Sequence, residues 1–135
     1  MGPLSEFLVD TVAFVRDLED QLSAKADRIF REAESGTHHL LLPQIALAEF
    51  IYVALRGRLK GARPAIQVRD VLHNLFASDA FTVSGMPAEG WELMPELPIP
   101  ELHDRMIAAE ALARDVPLIS NDASFDAIGS LTRIW

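Results

Sequence analysis

The chain contains no cysteine, so disulfides, thiolate zinc sites and cysteine nucleophiles are excluded together. Any chemistry falls to carboxylates, histidines and hydroxyls. No run of about 18 apolar residues occurs, nor does a basic N-terminal stretch followed by a long apolar one. The sequence therefore supports neither a membrane span nor a signal peptide, and a cytoplasmic protein is the expectation. Positive charge is scarce: 12 Lys and Arg stand against 20 Asp and Glu, for a formal net charge of −8. A protein that coats nucleic acid by displacing counterions from phosphates needs the opposite balance. Low-complexity segments and internal repeats are missing too. Half of the residues are hydrophobic and 24% are charged, which predicts a packed core rather than disorder. The 135 residues suit one domain spanning the whole chain, residues 1–135.

Short apolar runs alternate with helical periodicity, the pattern of an α/β fold. Phe7-Leu8-Val9 reads as a buried parallel strand that ends at Asp10. From Thr11 to Ser35 apolar residues recur at helical spacing, predicting one long helix with Ser23 as its candidate break and Gly36 as its stop. Leu40-Leu41-Leu42 before Pro43 is a second strand, and Ile45 to Arg56, closed by Gly57, a second helix that contains Glu49. Helical periodicity resumes from Ala65 to Ala77, and Phe81-Thr82-Val83 is a weak third strand. Four prolines, Pro87, Pro95, Pro98 and Pro100, predict an irregular connection with short helical turns. His103 to Asp115 reads as a helix with Asp104 in its first turn. Leu118-Ile119-Ser120 is a fourth strand leading into Asn121-Asp122, and Leu131 to Ile134 is a candidate edge strand.

This order places acids where open parallel sheets put their active sites, beyond the carboxyl ends of the strands. Asp10 and Asp122 each follow a strand. Asp104 begins a helix that starts near the same edge. Glu49 interrupts the apolar stretch from Ile45 to Leu55, and a carboxylate in such surroundings needs a cation, a hydrogen-bond partner or a proton. Carboxylates held close together repel one another unless a divalent ion supplies positive charge. With an all-oxygen donor set, Mg2+ or Mn2+ fits better than Zn2+. Such an ion lowers the pKa of bound water and stabilises charge on a phosphate, which suits phosphodiester hydrolysis.

The sequence resembles the PIN-domain nucleases, and among them the VapC-type toxins of toxin-antitoxin pairs. The resemblance spans nearly the whole chain. It rests on Leu8-Val9-Asp10-Thr11, on Ala48-Glu49, on His103-Asp104-Arg105-Met106-Ile107-Ala108-Ala109 and on Ile119-Ser120-Asn121-Asp122, in that order and spacing. It implies a central parallel sheet of four to five strands flanked by helices, and a metal-dependent endoribonuclease with Asp10, Glu49, Asp104 and Asp122 as its acidic quartet. A homodimer and a small antitoxin protein as inhibitor are implied as well. Val12 stands where relatives often carry Asn, Ser or His, and Ser124 where many carry a further acid, which weakens the case for a second metal position.

Other readings stand beside these. Asp10 and Asp104, taken singly, are ordinary helix caps or dipole-complementing residues; the four acids together carry the catalytic reading, with Glu49 as a ligand or a water-orienting group. Thr11 and Ser120 are candidate hydrogen-bond partners of the carboxylates. Arg56, Arg58, Lys60 and Arg63 form the one dense basic cluster, which either contacts RNA phosphates or an acidic partner, or is simply a solvated loop. His103 reads as orienting Asp104 or capping its helix. Trp91 and Trp135 can stack on a base, though packing is the commoner use. The rival function is a non-catalytic PIN-like module that binds a protein or RNA partner. A phosphotransferase of the haloacid-dehalogenase kind expects a second Asp at position 12, where Val12 stands.

Overall fold

The computed structural model describes residues 5–57 and 67–135. Five parallel strands form one sheet in the order β3-β2-β1-β4-β5: β1 Ser5–Val9, β2 His38–Pro43, β3 Phe81–Ser84, β4 Leu118–Ile119 and β5 Arg133–Ile134. Chain order runs outward in one direction from β1 to β3, then restarts on the other side of β1 with β4. The junction between β1 and β4 is therefore a topological switch point, where a crevice opens beyond the strand ends. The central strands read as unbroken apolar runs because both faces are covered: Leu8, Val9, Leu40, Leu42, Leu118 and Ile119 are fully buried.

Six helices join these strands among the described residues: α1 Thr11–Leu18, α2 Ala24–Glu34, α3 Gln44–Leu55, α4 Val68–Ala77, α5 Ala88–Leu93 and α6 Leu102–Arg114. The long helix expected from Thr11 to Ser35 is two helices. Asp20 takes a left-handed φ of 58°, which ends α1, and the Ser23 hydroxyl caps α2 by accepting from the Ala26 amide. Apolar periodicity ran across this break because Leu22 still packs against the core. The proline-bearing segment holds a short α5 and a single 3-10 turn, Met94–Glu96. Arg105 staples that segment to α6, donating to the Ile99 and Met94 carbonyls. The helix expected from Ala65 is described from Val68.

An aromatic cluster fastens α1, α2 and α3 to one face of the sheet. Phe14 meets Phe50 edge-on at 5.3 Å and Phe81 at 6.0 Å, and Phe30 also meets Phe81 at 6.0 Å. Phe30 and Phe50 are wholly buried, and their edge-to-face geometry adds to the area they remove from water. Ala108, Ala109 and Ala111 of α6 are buried too; their small side chains let that helix pack closely against α5 and α3. No helix among the described residues is long and apolar enough to cross a membrane.

Candidate active site

Register builds the site. Parallel pairing sets Leu8 against Leu118 and Val9 against Ile119, and the Asp10 amide donates to the Ile119 carbonyl, so Asp10 stands level with Ser120 at the switch point. Asp10 is also the N-cap of α1, with Oδ1 accepting from the Ala13 amide at 2.8 Å. Its other surroundings are dry. Burial pushes its carboxyl up to about 6, with repulsion from Asp104 and Asp122 adding to the rise, while the Ser120 and Ala13 hydrogen bonds pull the other way. Ser120 is itself wholly buried, and its hydroxyl accepts from the Asp122 amide at 3.0 Å.

Asp104 enters from the first turn of α6. Burial, and after it repulsion from Glu101, Asp122 and Glu49, raises its carboxyl to about 6, with His103 offsetting part of the rise. Asp122 occupies the exposed rim, where hydrogen bonds from Ser124 hold its carboxyl below the usual range. Glu49 lies on α3, with Oε2 3.4 Å from His103 Nδ1. The four acids expected from sequence thus influence one another at one edge of the sheet. Among the described residues, no three His, Asp or Glu side chains close into a ready-made metal cage.

A family model of the PIN domain matches residues 7–131. The chain belongs to the PIN domain family. Solved structures share the fold: VapBC2 from Rickettsia felis bound to a fragment of its promoter DNA has a TM-score of 0.73 at 17% identity, covering 96% of this chain and 97% of that one. DNA-bound VapBC from Salmonella typhimurium gives 0.64 at 16% identity, covering 97% and 98%. FitAcB from Neisseria gonorrhoeae gives 0.63 at 16% identity, covering 96% of each chain. No curated protein sequence matches the chain.

Several supporting residues of this PIN domain differ from expectation. Thr11 does not bond Asp10: its hydroxyl is buried without a hydrogen-bond partner among the described residues. His103 neither caps α6 nor orients Asp104. The cap is Glu101, whose Oε2 accepts from the Asp104 amide at 2.7 Å while Oε1 meets His103 Nδ1 at 2.7 Å. His103 thereby bridges Glu101 and Glu49. Glu101 went unread in the sequence, although an acid three residues before Asp104 is a capping signal. Arg133 is a second unread residue: it binds Asp126 and the Ser120 carbonyl, steadying the strand end that carries Asp122. Arg56 folds back, its guanidinium 5.1 Å from the Tyr52 ring centre and bonded to the Tyr52 hydroxyl. Arg58, Lys60 and Arg63 lie outside the described residues. Trp91 is exposed, whereas Trp135 packs against the core.

Proposed function

We propose that this PIN domain is a Mg2+- or Mn2+-dependent endoribonuclease, the VapC-type toxin of a toxin-antitoxin pair. One observation carries the reading. Asp10 and Asp104 share an edge where burial, and after it repulsion from neighbouring acids, lifts both carboxyls to about 6, an arrangement that a divalent cation would relieve. The donor set fits a hard divalent ion: it is all oxygen, and the partnerless Thr11 hydroxyl is available to a bound water. Mg2+ commonly takes one or two carboxylates and keeps several waters, so a closed protein cage is not required. Asp10, Asp104 and Asp122 would hold the ion, with Glu49 as ligand or water-orienting group. When bound, the ion would supply a nucleophilic water near neutral pH and charge stabilisation on the phosphate.

The chain's own residues set the rest of the reaction. Ser120 and the Ala13 amide fix the Asp10 carboxylate, Glu101 anchors the first turn of α6 beneath Asp104, and His103 restrains Glu49. The substrate class that suits this open edge is single-stranded or loop RNA, whose backbone is accessible where an A-form groove is not. A basic antitoxin segment is favoured by the net charge of −8 and by an apolar cleft between α1 and α4 lined by Phe14, Leu18, Val71 and Leu75. Exposed Tyr52 and Leu55 on α3 offer a face for a second copy.

The test is cleavage of a mixed RNA pool in Mn2+, Mg2+ and EDTA by the wild type and by Asp10→Asn and Asp104→Asn. Cleavage that needs metal and is lost in both variants supports the reading. Inert protein that also fails to bind Mn2+ in calorimetry overturns it in favour of a binding module.

A further inference from the structure

We infer that the cleft beside Glu49 is a nucleobase-reading subsite that prefers guanine next to the cut. The inference rests on the nuclease reading above and adds to it the identity of a neighbouring base. The cleft lies between α3, the end of β3, α5 and α6, and is lined by Gln44, Ile45, Ser84, Met86, Trp91 and Glu110. Three features suit it to a base.

Its position is the first. Gln44 follows β2 and Ser84 ends β3, so the cleft opens on the same sheet edge as Asp10. Neighbouring strands are about 4.8 Å apart, which sets the cleft one or two strand widths from the acids, within reach of an adjacent nucleotide. Ile45, in the lining, and Glu49 are one helical turn apart on α3, on the same side of that helix, so the cleft adjoins the acid nearest to it. Its walls are the second. Trp91 is 55% exposed on the rim, over a floor of methionine and isoleucine, which supplies a stacking face and an apolar slot for an unstacked base. Gly90 keeps that wall close: a Cβ there would fall 2.2 Å from the Met86 sulfur.

Its polar groups are the third. Glu110 is buried, 3% exposed, in a PIN domain whose proposed chemistry does not use it. Its Oε2 accepts from the Ser84 hydroxyl and from Arg114 Nε at 2.9 Å, and Arg114 also donates to the Gly85 carbonyl at 2.7 Å. Oε1 takes no hydrogen bond among the described residues and is not fully enclosed. A fixed carboxylate oxygen in an apolar slot selects an N–H donor. The Gln44 side chain, without a hydrogen bond among the described residues, adds an amide that can donate. Guanine matches the pair, offering N1–H and an N2 amino group to the acid and O6 to the amide, whereas uracil lacks the adjacent amino donor.

The experiment is a titration of the full chain, in EDTA so that nothing is cut, with hexaribonucleotides: all-uridine, one central guanosine, and one central inosine, which lacks the N2 amino group. Tryptophan fluorescence is read for the wild type, Trp91→Phe and Gln44→Ala, and cleavage of the same oligomers is read separately in Mn2+. The inference expects quenching that disappears in Trp91→Phe, guanosine binding about tenfold tighter than all-uridine, and a smaller preference for inosine and in Gln44→Ala. Equal binding of all three oligomers, or quenching that survives in Trp91→Phe, overturns it. So does metal-dependent cleavage with no quenching by any oligomer, an outcome that leaves the nuclease reading intact and the cleft a protein-contact surface. Guanosine-selective quenching without cleavage supports the subsite and counts against the nuclease instead.

Discussion

Asp10 serves two demands that conflict. Its oxygen caps α1, yet its charge sits in a dry pocket. Because the folded carboxyl is raised from its ordinary value to about 6, its contribution to stability is full below pH 4 and is lost as pH climbs through 6. Asp10→Asn keeps an acceptor for the Ala13 amide and removes the charge. In EDTA this variant should gain about 1–3 kcal/mol over the wild type at pH 7.5, and the gain should vanish near pH 4; urea unfolding at both pH values checks it. Adding Mn2+ should reverse the ranking at pH 7.5, since an ion at one hundred times its Kd stabilises by about 2.7 kcal/mol and the variant has lost a donor. A wild type as stable as Asp10→Asn in EDTA would contradict the burial argument. Glu110 illustrates what a residue conceals in a sequence. It sits in an alanine-rich helix among other charges, and nothing in its neighbours announces that Ser84, 26 positions earlier, will receive it.

Elements were legible wherever a boundary carries its own chemistry. The strands that end at Val9, Pro43 and Ile119 coincide with the end of an apolar run, so the segments that carry Asp10 and Asp122 stand at the sheet edge in the sequence itself. The break between α1 and α2 was ambiguous because it depends on Asp20 adopting a left-handed backbone, a conformation that few residues other than Gly favour and that composition does not reveal. The start of α6 is obscured for another reason: the sequence offers His103 as a partner of Asp104 or as the cap, whereas Glu101, immediately before the helix, makes the cap. Replacing Glu101 with Ala should cost about 0.5–2 kcal/mol through the lost cap. It should also slow cleavage, because His103 loses the anchor that restrains Glu49. Glu101→Gln, which keeps the acceptor, should recover most of the stability. Ser23→Ala, a cap remote from the site, should cost about 1 kcal/mol and leave cleavage unchanged, which separates helix stability from site geometry in the same assay. Removal of an aromatic anchor should weigh more, with Phe50→Ala costing about 3–5 kcal/mol by urea unfolding.

At the scale of the whole molecule, the fold was legible because the strand and helix segments that carry Asp10, Glu49, Asp104 and Asp122 follow one another in the sequence in an α/β order, while the partners of those acids are assembled only by packing. The switch point between β1 and β4 has a further consequence, one of timing. The central strand finds its first neighbour in β2, made soon after it, but its second neighbour β4 arrives only after α6. Long-range parallel pairing of this kind closes late and slowly. At about 5–20 residues per second of synthesis, Asp122 leaves the ribosome on the order of ten seconds after Asp10. A nascent chain therefore carries Asp10 alone until Glu49 follows, two of the four acids until Asp104, and all four only once Asp122 has emerged and β4 has paired with β1, so the acidic edge is assembled by the last strand to join the central one and not by the first.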